Sequence, residues 1–231
     1  MKPNRRALLI AALLPAAVIA APPPRVVVGY DMSRNGMVMA ELKETLEHDG
    51  KSYRIVSEGK AKGVFAVLAP GAVTRTSEGA VAAEGLLPRE YREQRGSKSA
   101  SAKFDRAAHT LVQQKEGQGP ETQPLPERAQ DRLSYLWSFA FTPPKAGHVQ
   151  AMVADGRGAP VRYDYAVAGT EVLKTPIGDL ETLHLVKQRA PDDSRQTEVW
   201  LAVKRDYVPV RVLVVDKDGT RLDQVVTRIE G

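Results

Sequence analysis

The 231-residue chain contains no cysteine, so neither a disulfide frame nor a thiolate site is open to it and stability must come from a packed core. Aromatic side chains make up only 6 % of the residues, too few for the paired girdles of an outer-membrane barrel, and the faces predicted to be exposed carry Lys, Glu and Arg. The apolar stretch from Ala7 to Ile19 falls short of the roughly 20 residues that span a bilayer. Motifs for common chemistry are also missing. There is no G-x-S-x-G elbow, no phosphate-binding P-loop and no G-x-G-x-x-G after a strand. The four histidines, His48, His109, His148 and His184, lie far apart, and none stands three or four residues from another His or a Cys in a zinc-type arrangement. No metal and no cofactor is expected.

The chain opens with three basic residues (Lys2, Arg5, Arg6), the apolar stretch, and a V-x-A ending at Ala20. That order predicts a secretory signal over residues 1–20, cut after Ala20, and a soluble product in the periplasm or outside the cell. With no cysteine at the cut, a lipid-anchored product is excluded. Losing those three cations and no carboxylate takes the formal net charge from +5 to +2, so the basic pI belongs largely to the leader and a nucleic-acid partner is not expected. Roughly 210 residues remain. With no Gly/Ser-rich linker to divide them, residues 21–231 are expected to form one all-β domain.

Short alternating stretches dominate. In Val38 to Glu47, Val38, Ala40, Leu42 and Leu46 share one face of a period-two pattern and Glu41, Lys43 and Glu47 the other, followed by an Asp49-Gly50 turn. Gly63 to Gly71 suits a short helix or a turn. "GLLP" at 85–88 is expected to separate two strands, Asp105 to Ala107 to form a tight turn, and residues 115–127 to be a loop. The one convincing helix is predicted at 127–141. There Ala129, Leu133, Leu136, Trp137 and Ala140 share a face, and Pro143-Pro144 ends the run. Further strands turn at Asp155-Gly156, at Pro176 to Gly178 and at Lys204 to Asp206. The fold class is therefore mainly β: a curved antiparallel sheet or half-barrel with one amphipathic helix on or in its concave face.

Carboxylate pairs occur at Asp192-Asp193 and at Asp216/Asp218, both in turn-like segments where Asp is a favoured residue, and the latter lacks the remaining ligands of an EF-hand. The sharper candidates are aromatic. Trp137 and Tyr135 on the helix, Trp200 in the strand Thr197 to Ala202, and Arg132 beside the helix's apolar face are the candidate ligand contacts. Flat rings can cover a lipid chain or a sugar as readily as they fill a core. Asp131 and Arg132 suit either a polar anchor or a solvated ion pair. Trp200 shares a face with Glu198 and Ala202, opposite Val199, Leu201 and Val203; it would be exposed in a sheet covered on one side only, whereas in a curved sheet wrapped around a helix either face can be buried.

Five segments, "SEGAVAAEGLLPREYREQR", "AKFDRAAHTLV", "LPERAQDRLSYLWSF", "LKTPIGDLETLHLV" and "TEVWLAVKRDYVPVRVLVVDKDG", resemble in order and spacing the proteobacterial domain-of-unknown-function family 3108. The T-P-x-G and E-V-W-L-A…P-V-R elements are the most specific parts of the likeness. The resemblance implies an exported protein with a curved antiparallel sheet, similar in general form to periplasmic lipoprotein-carrier half-barrels, and it brings no catalytic residues. Three readings follow. The first is a non-enzymatic binding or chaperone-like module that shelters an apolar ligand such as a lipid or a lipoprotein acyl chain. The second is an envelope module with a filled barrel that binds protein or glycan. The third, least supported, is a hydrolase of envelope polymers.

Overall fold

A computed structural model describes residues 21–68, 71–145, 147–189 and 195–231. The leader and the Asp192-Asp193 pair lie outside the described residues. Eight strands come first: β1 (Arg25–Arg34), β2 (Met37–His48), β3 (Ser52–Ala61), β4 (Ala72–Ala82), β5 (Gly85–Arg95), β6 (Lys98–Asp105), β7 (Thr110–Lys115) and β8 (Glu121–Pro124), with a short helix α1 (Val64–Leu68) between β3 and β4. After β9 (Ala129–Gln130) and helix α2 (Ser134–Trp137) come β10 (His148–Val153), β11 (Val161–Thr175), β12 (Gly178–Lys187), β13 (Arg195–Ala202), β14 (Val208–Asp216) and β15 (Arg221–Glu230).

All fifteen strands form one sheet, in the order β8 to β1, then β15 down to β9. Around the sheet the strands are neighbours in sequence, except that β1 pairs antiparallel with β15, joining the two ends of the chain. The two borders of the sheet are then β8 and β9, consecutive in the chain. A curled meander of this order would become a barrel if β8 met β9. It stays open at that seam, and the helical segment lies in the trough, packed against β5 and β14.

The strands form where apolar residues alternate. In β2 and β3, Leu46 lies opposite Ile55 and Leu42 opposite Gly59, and the apolar side chains of these rows are buried. Turn chemistry sets the registers. Asn35-Gly36 links β1 to β2 with φ of +50° and +84°, and Asp49 Oδ1 accepts from the backbone of Lys51 and Ser52 at 2.8 and 2.6 Å before β3.

Three expectations need correction. "GLLP" is the first part of β5, with the turn at Ala83-Glu84 instead; Leu86 and Pro88 are buried there, and a bulge near Gly79 absorbs the proline. The segment 115–127 contains β8, because Glu121–Pro124 complete the hydrogen bonding of β7 despite having little apolar surface. The helix of 127–141 is far shorter than its periodicity suggests. Arg128 takes a left-handed φ of +54°, Ala129 and Gln130 pair parallel with β10, and only Ser134–Trp137 are α-helical, tightening to a 3-10 turn over Ser138–Ala140. The short helix at 64–68 agrees with the sequence reading.

The seam is bridged by the β10–β11 loop, which folds onto β5, β6 and β7. The Gly156 N–H donates to Gln113 Oε1 at 2.8 Å, Gln113 Nε2 donates to the Gly158 carbonyl, and Arg157 pairs with Glu93. Glu93 is buried and also accepts from Arg75 Nε at 2.7 Å and Tyr91 Oη at 3.1 Å. Burial alone would raise its carboxyl. The Arg75 and Arg157 guanidinium groups outweigh that and hold it at about 2. Gly156 is required at its position: φ is +80°, and a Cβ would lie 2.5 Å from the Ser101 carbonyl oxygen.

Gly156→Ala is expected to lower the unfolding free energy by about 2 kcal/mol or more, read from the urea midpoint. The loop must leave Ser101, so the Arg157–Glu93 pair weakens with it. Because the Glu93 carboxyl sits lower in the fold than its ordinary 4.5, its contribution is present above that value and is lost as pH falls towards about 2. Replacing Glu93 with Gln should flatten the acid limb of a stability-against-pH curve in that window.

Candidate functional site

The helical segment is fixed in the trough by two buried carboxylates. Asp131 caps it: Oδ1 accepts from the Leu133 and Ser134 N–H groups, each at 2.8 Å, and Ser134 Oγ accepts from the Asp131 N–H at 2.9 Å. Its Oδ2 accepts from Ser77 Oγ at 2.5 Å, and Ser77 Oγ lies 2.9 Å from Tyr53 Oη, so the cap is tied to β3 and β4. Burial lifts the Asp131 carboxyl to about 6 against these hydrogen bonds. The second carboxylate is Glu44, on the apolar face of β2, which accepts from Trp137 Nε1 at 2.8 Å. Burial raises it too.

This geometry separates the four candidate contacts. Trp137 is 0 % exposed, with its ring in the main core and its N–H committed to Glu44. Tyr135 points the other way, meeting the Tyr163 ring edge-on at 5.3 Å and lining a cavity. Arg132 is exposed, and its Nη1 lies 3.4 Å from Asp155 Oδ2, a partner on the β10–β11 loop. It is not paired with Asp131, whose oxygens are taken by the cap. Trp200 is elsewhere. It is buried between cross-strand neighbours, stacked on His184 at 4.3 Å and 7°, with the Arg211 guanidinium 4.7 Å from its ring and its Nε1 bonded to Glu171. The outer face of β13 is covered because Leu173 and Leu180 of the β11–β12 hairpin join the same apolar cluster.

The cavity lies at the seam, between the helical segment and the facing ends of the two arms, with a volume of about 790 Å³. Leu87, Leu125, Phe139, Val149 and Tyr165 give it an apolar wall beside Tyr135. Polar groups gather at one side: Arg106, His109, Arg128 and Gln130, with Glu84 and Glu127. Arg106 Nη2 donates to the Ala129 carbonyl at 3.1 Å and Gln130 Nε2 to the Leu86 carbonyl at 2.8 Å. Yet Arg106 Nε and Gln130 Oε1 are buried with no hydrogen-bond partner among the described residues. An unmet donor and an unmet acceptor on one wall are costly to a closed core and are satisfied by a polar ligand group or water. Burial also lowers the Arg106 guanidinium from its ordinary value.

The sequence reading missed Arg106, Gln130 and Glu44 in these roles; Asp131 is the polar anchor, one of the two readings open to it. Glu44 had a signal, since it occupies the same period-two face as Leu42 and Leu46. Among the described residues no group of three or more metal-ligating side chains is assembled. His109 is on the cavity wall, His48 meets Phe141, and His148 and His184 face Asp164 and Glu198.

A profile for a protein family of unknown function, DUF3108, matches residues 29–226. The chain belongs to the DUF3108 family. A β-barrel-like protein of domain of unknown function DUF1849 from Brucella abortus superposes with a TM-score of 0.56 at 8 % identity, over 91 % of this chain and 99 % of its own. That likeness is one of fold. Weaker likenesses are to a candidate lipoprotein from Parabacteroides distasonis (TM-score 0.40, 8 % identity, 92 % and 98 % covered) and a candidate exported protein with a YmcC-like fold from Bacteroides fragilis (0.34, 10 %, 89 % and 95 %). No curated protein matches this DUF3108 chain by sequence.

Trp137→Phe keeps most of the ring volume but strands the Glu44 carboxylate, and is expected to cost about 1–3 kcal/mol. Its penalty should shrink at acid pH, where Glu44 is protonated, in urea titrations at two pH values. Asp131, raised in the fold from 3.8 to about 6, favours the folded state below 3.8 and loses that contribution as pH rises through 6. Asp131→Asn should remove this slope.

Proposed function

We propose that this DUF3108 protein is an exported, non-enzymatic binding module of the periplasm whose seam cavity shelters the apolar part of an amphiphile, such as a lipid or a lipoprotein acyl chain. The observation that carries the reading is the cavity itself. It has the size of small-ligand sites, an apolar aromatic wall, and one polar side where Arg106 Nε and Gln130 Oε1 are unmet. An acyl chain would lie along Leu125, Val149, Phe139 and Tyr135, and a polar head beside Arg106 and Arg128. The order of charge, apolar core and small residues at 1–20 supports the export.

The remaining candidates divide accordingly. Tyr135 would touch the ligand directly. Trp137 would act by holding the helical segment, and Arg132 by holding the β10–β11 loop through Asp155. Trp200 has no place on this cavity. The wall offers grip rather than a reacting constellation: the Ser138 hydroxyl, for one, already accepts from the Leu86 N–H at 3.2 Å.

Mass spectrometry of small molecules carried by protein purified natively from its own cells is the direct test. A co-purifying lipid is expected, together with binding of a fluorescent phospholipid that Ala151→Trp, which fills the cavity, reduces at least tenfold. Arg106→Gln should weaken binding of an anionic head more than of a neutral one. Absence of both carried lipid and probe binding would overturn the reading. It would favour instead a protein-binding module that uses β8, which has one paired neighbour in the described sheet.

A further inference from the structure

The end of the sheet remote from the cavity carries a second feature, independent of the cavity reading. The cavity draws on residues at the Glu84 and His109 ends of β5 and β7. Helix α1 sits at the opposite rim, since it follows the C-terminal end of β3 and touches β2 and β3. Its Val64 is 59 % exposed and its Val67 80 %. The β1–β2 hairpin brings Met37, 60 % exposed, and Val38 to the same rim: the Lys62 N–H donates to the Met39 carbonyl at 2.9 Å, and Ala61 lies opposite Ala40. Four large aliphatic side chains thus stand in solvent together. Elsewhere in the described residues only Val161, Val172 and Ile177 are large and exposed. A clustered apolar protrusion on a surface otherwise rich in charge marks a contact site.

The charges around it specify the partner. Register carries the rim across the arm: Lys60 lies opposite Ala72, Val73 opposite Arg95, Arg95 opposite Lys98, and Ala100 opposite Lys115. From β3 to β7 this is a basic edge about 20 Å long. Lys60, Lys98 and Lys115 are exposed and have no ion-pair partner among the described residues. Lys62 is shared between Asp31 and Glu41 at 3.6 and 3.8 Å, Arg95 lies 3.8 Å from Glu93, and Arg34 faces Asp218. The surplus is positive. Small aliphatic side chains projecting from a basic rim complement an interface whose surface is anionic and whose interior is apolar.

The geometry points to this rim as a docking surface for an anionic phospholipid membrane, with Val64, Val67, Met37 and Val38 entering the headgroup layer and Lys60, Lys98 and Lys115 facing the phosphates. The contact is peripheral: no helix among the described residues is long and apolar enough to cross a bilayer. Salt should weaken it, because the cations are exposed and screened within about 10 Å at 0.1 M ionic strength.

The chain has no cysteine, so Val67→Cys creates a single labelling site. Carrying a nitrobenzoxadiazole probe there, the protein is mixed with phosphatidylcholine vesicles that contain or lack phosphatidylglycerol. A blue shift and co-sedimentation are expected with phosphatidylglycerol only, with no shift from the same probe at Val172→Cys, another exposed valine, on β11. Val64→Asp with Val67→Asp should reduce sedimentation at least about tenfold, and Lys60→Glu with Lys98→Glu about fivefold in low salt. The proposal fails if the probe does not shift, if neutral vesicles bind equally well, or if the double valine variant still sediments. It also fails if sedimentation equilibrium shows a dimer that the valine substitutions dissolve, which would assign the patch to a second copy of the chain. Loss of the cavity's ligand in the preceding tests would leave all of these outcomes unchanged.

Discussion

Two carboxylates taken out of water hold the helical segment, and the seam depends on that segment. Asp131 starts it and ties it to β4 through Ser77; Glu44 receives the indole N–H of Trp137 from across the trough. Each carboxylate is costly to bury and acceptable because polar partners point at it. Together they decide that Trp137 faces β2 and that Tyr135 therefore faces the other arm. The cavity is the space left where these two side chains part. Its shape follows from the hydrogen bonds of residues that do not line it.

The loop that bridges the seam is held by charges of a different kind. Glu93 is satisfied by arginines and stays ionised well into acid, whereas Asp131 is satisfied by neutral donors and is lifted by burial to about 6. The two respond oppositely to pH. As pH falls, protonation of Asp131 relieves its burial between about 6 and 3.8, whereas the Arg157 contact that keeps the β10–β11 loop down is lost only between 4.5 and about 2. Mild acid therefore reaches the anchor of the helical segment and strong acid the loop.

Much of the sheet was legible in the sequence, because period-two alternation and Asx-Gly turns are local signals. Asp49-Gly50, the bend at 176–178 and the hairpin near Lys204 to Asp206 appear where those signals stand. What failed was decided at a distance. The helical period at 127–141 is genuine, but Ala129 and Gln130 are drawn into pairing with β10, and a local pattern cannot report a strand some twenty residues further on. β8 has almost no apolar residues and exists because β7 needed a partner. The alternation of its own strand left the burial of Trp200 open, and it is settled by neighbouring strands: His184 and Arg211 close on the ring and Glu171 takes its N–H. The candidate site followed the same rule. Tyr135 could be singled out from helix spacing, whereas Arg106 and Gln130 meet only when the two borders of the sheet face each other.

The pairing of β1 with β15 has a consequence for how the chain reaches this state. Every other antiparallel neighbour in the sheet is also a neighbour in sequence and can zip from a hairpin. The β1–β15 contact closes a loop of nearly the whole chain, and its entropic cost is met only when both flanking meanders exist. Val26, Val28 and Tyr30 of β1 and Val226 of β15 are among the most buried residues, so the centre of the core is assembled across the last contact to form. A chain emerging amino end first holds its first strand unpaired on one side until its last strand has arrived. Assembly of the centre of the core is thereby deferred to the completed polypeptide.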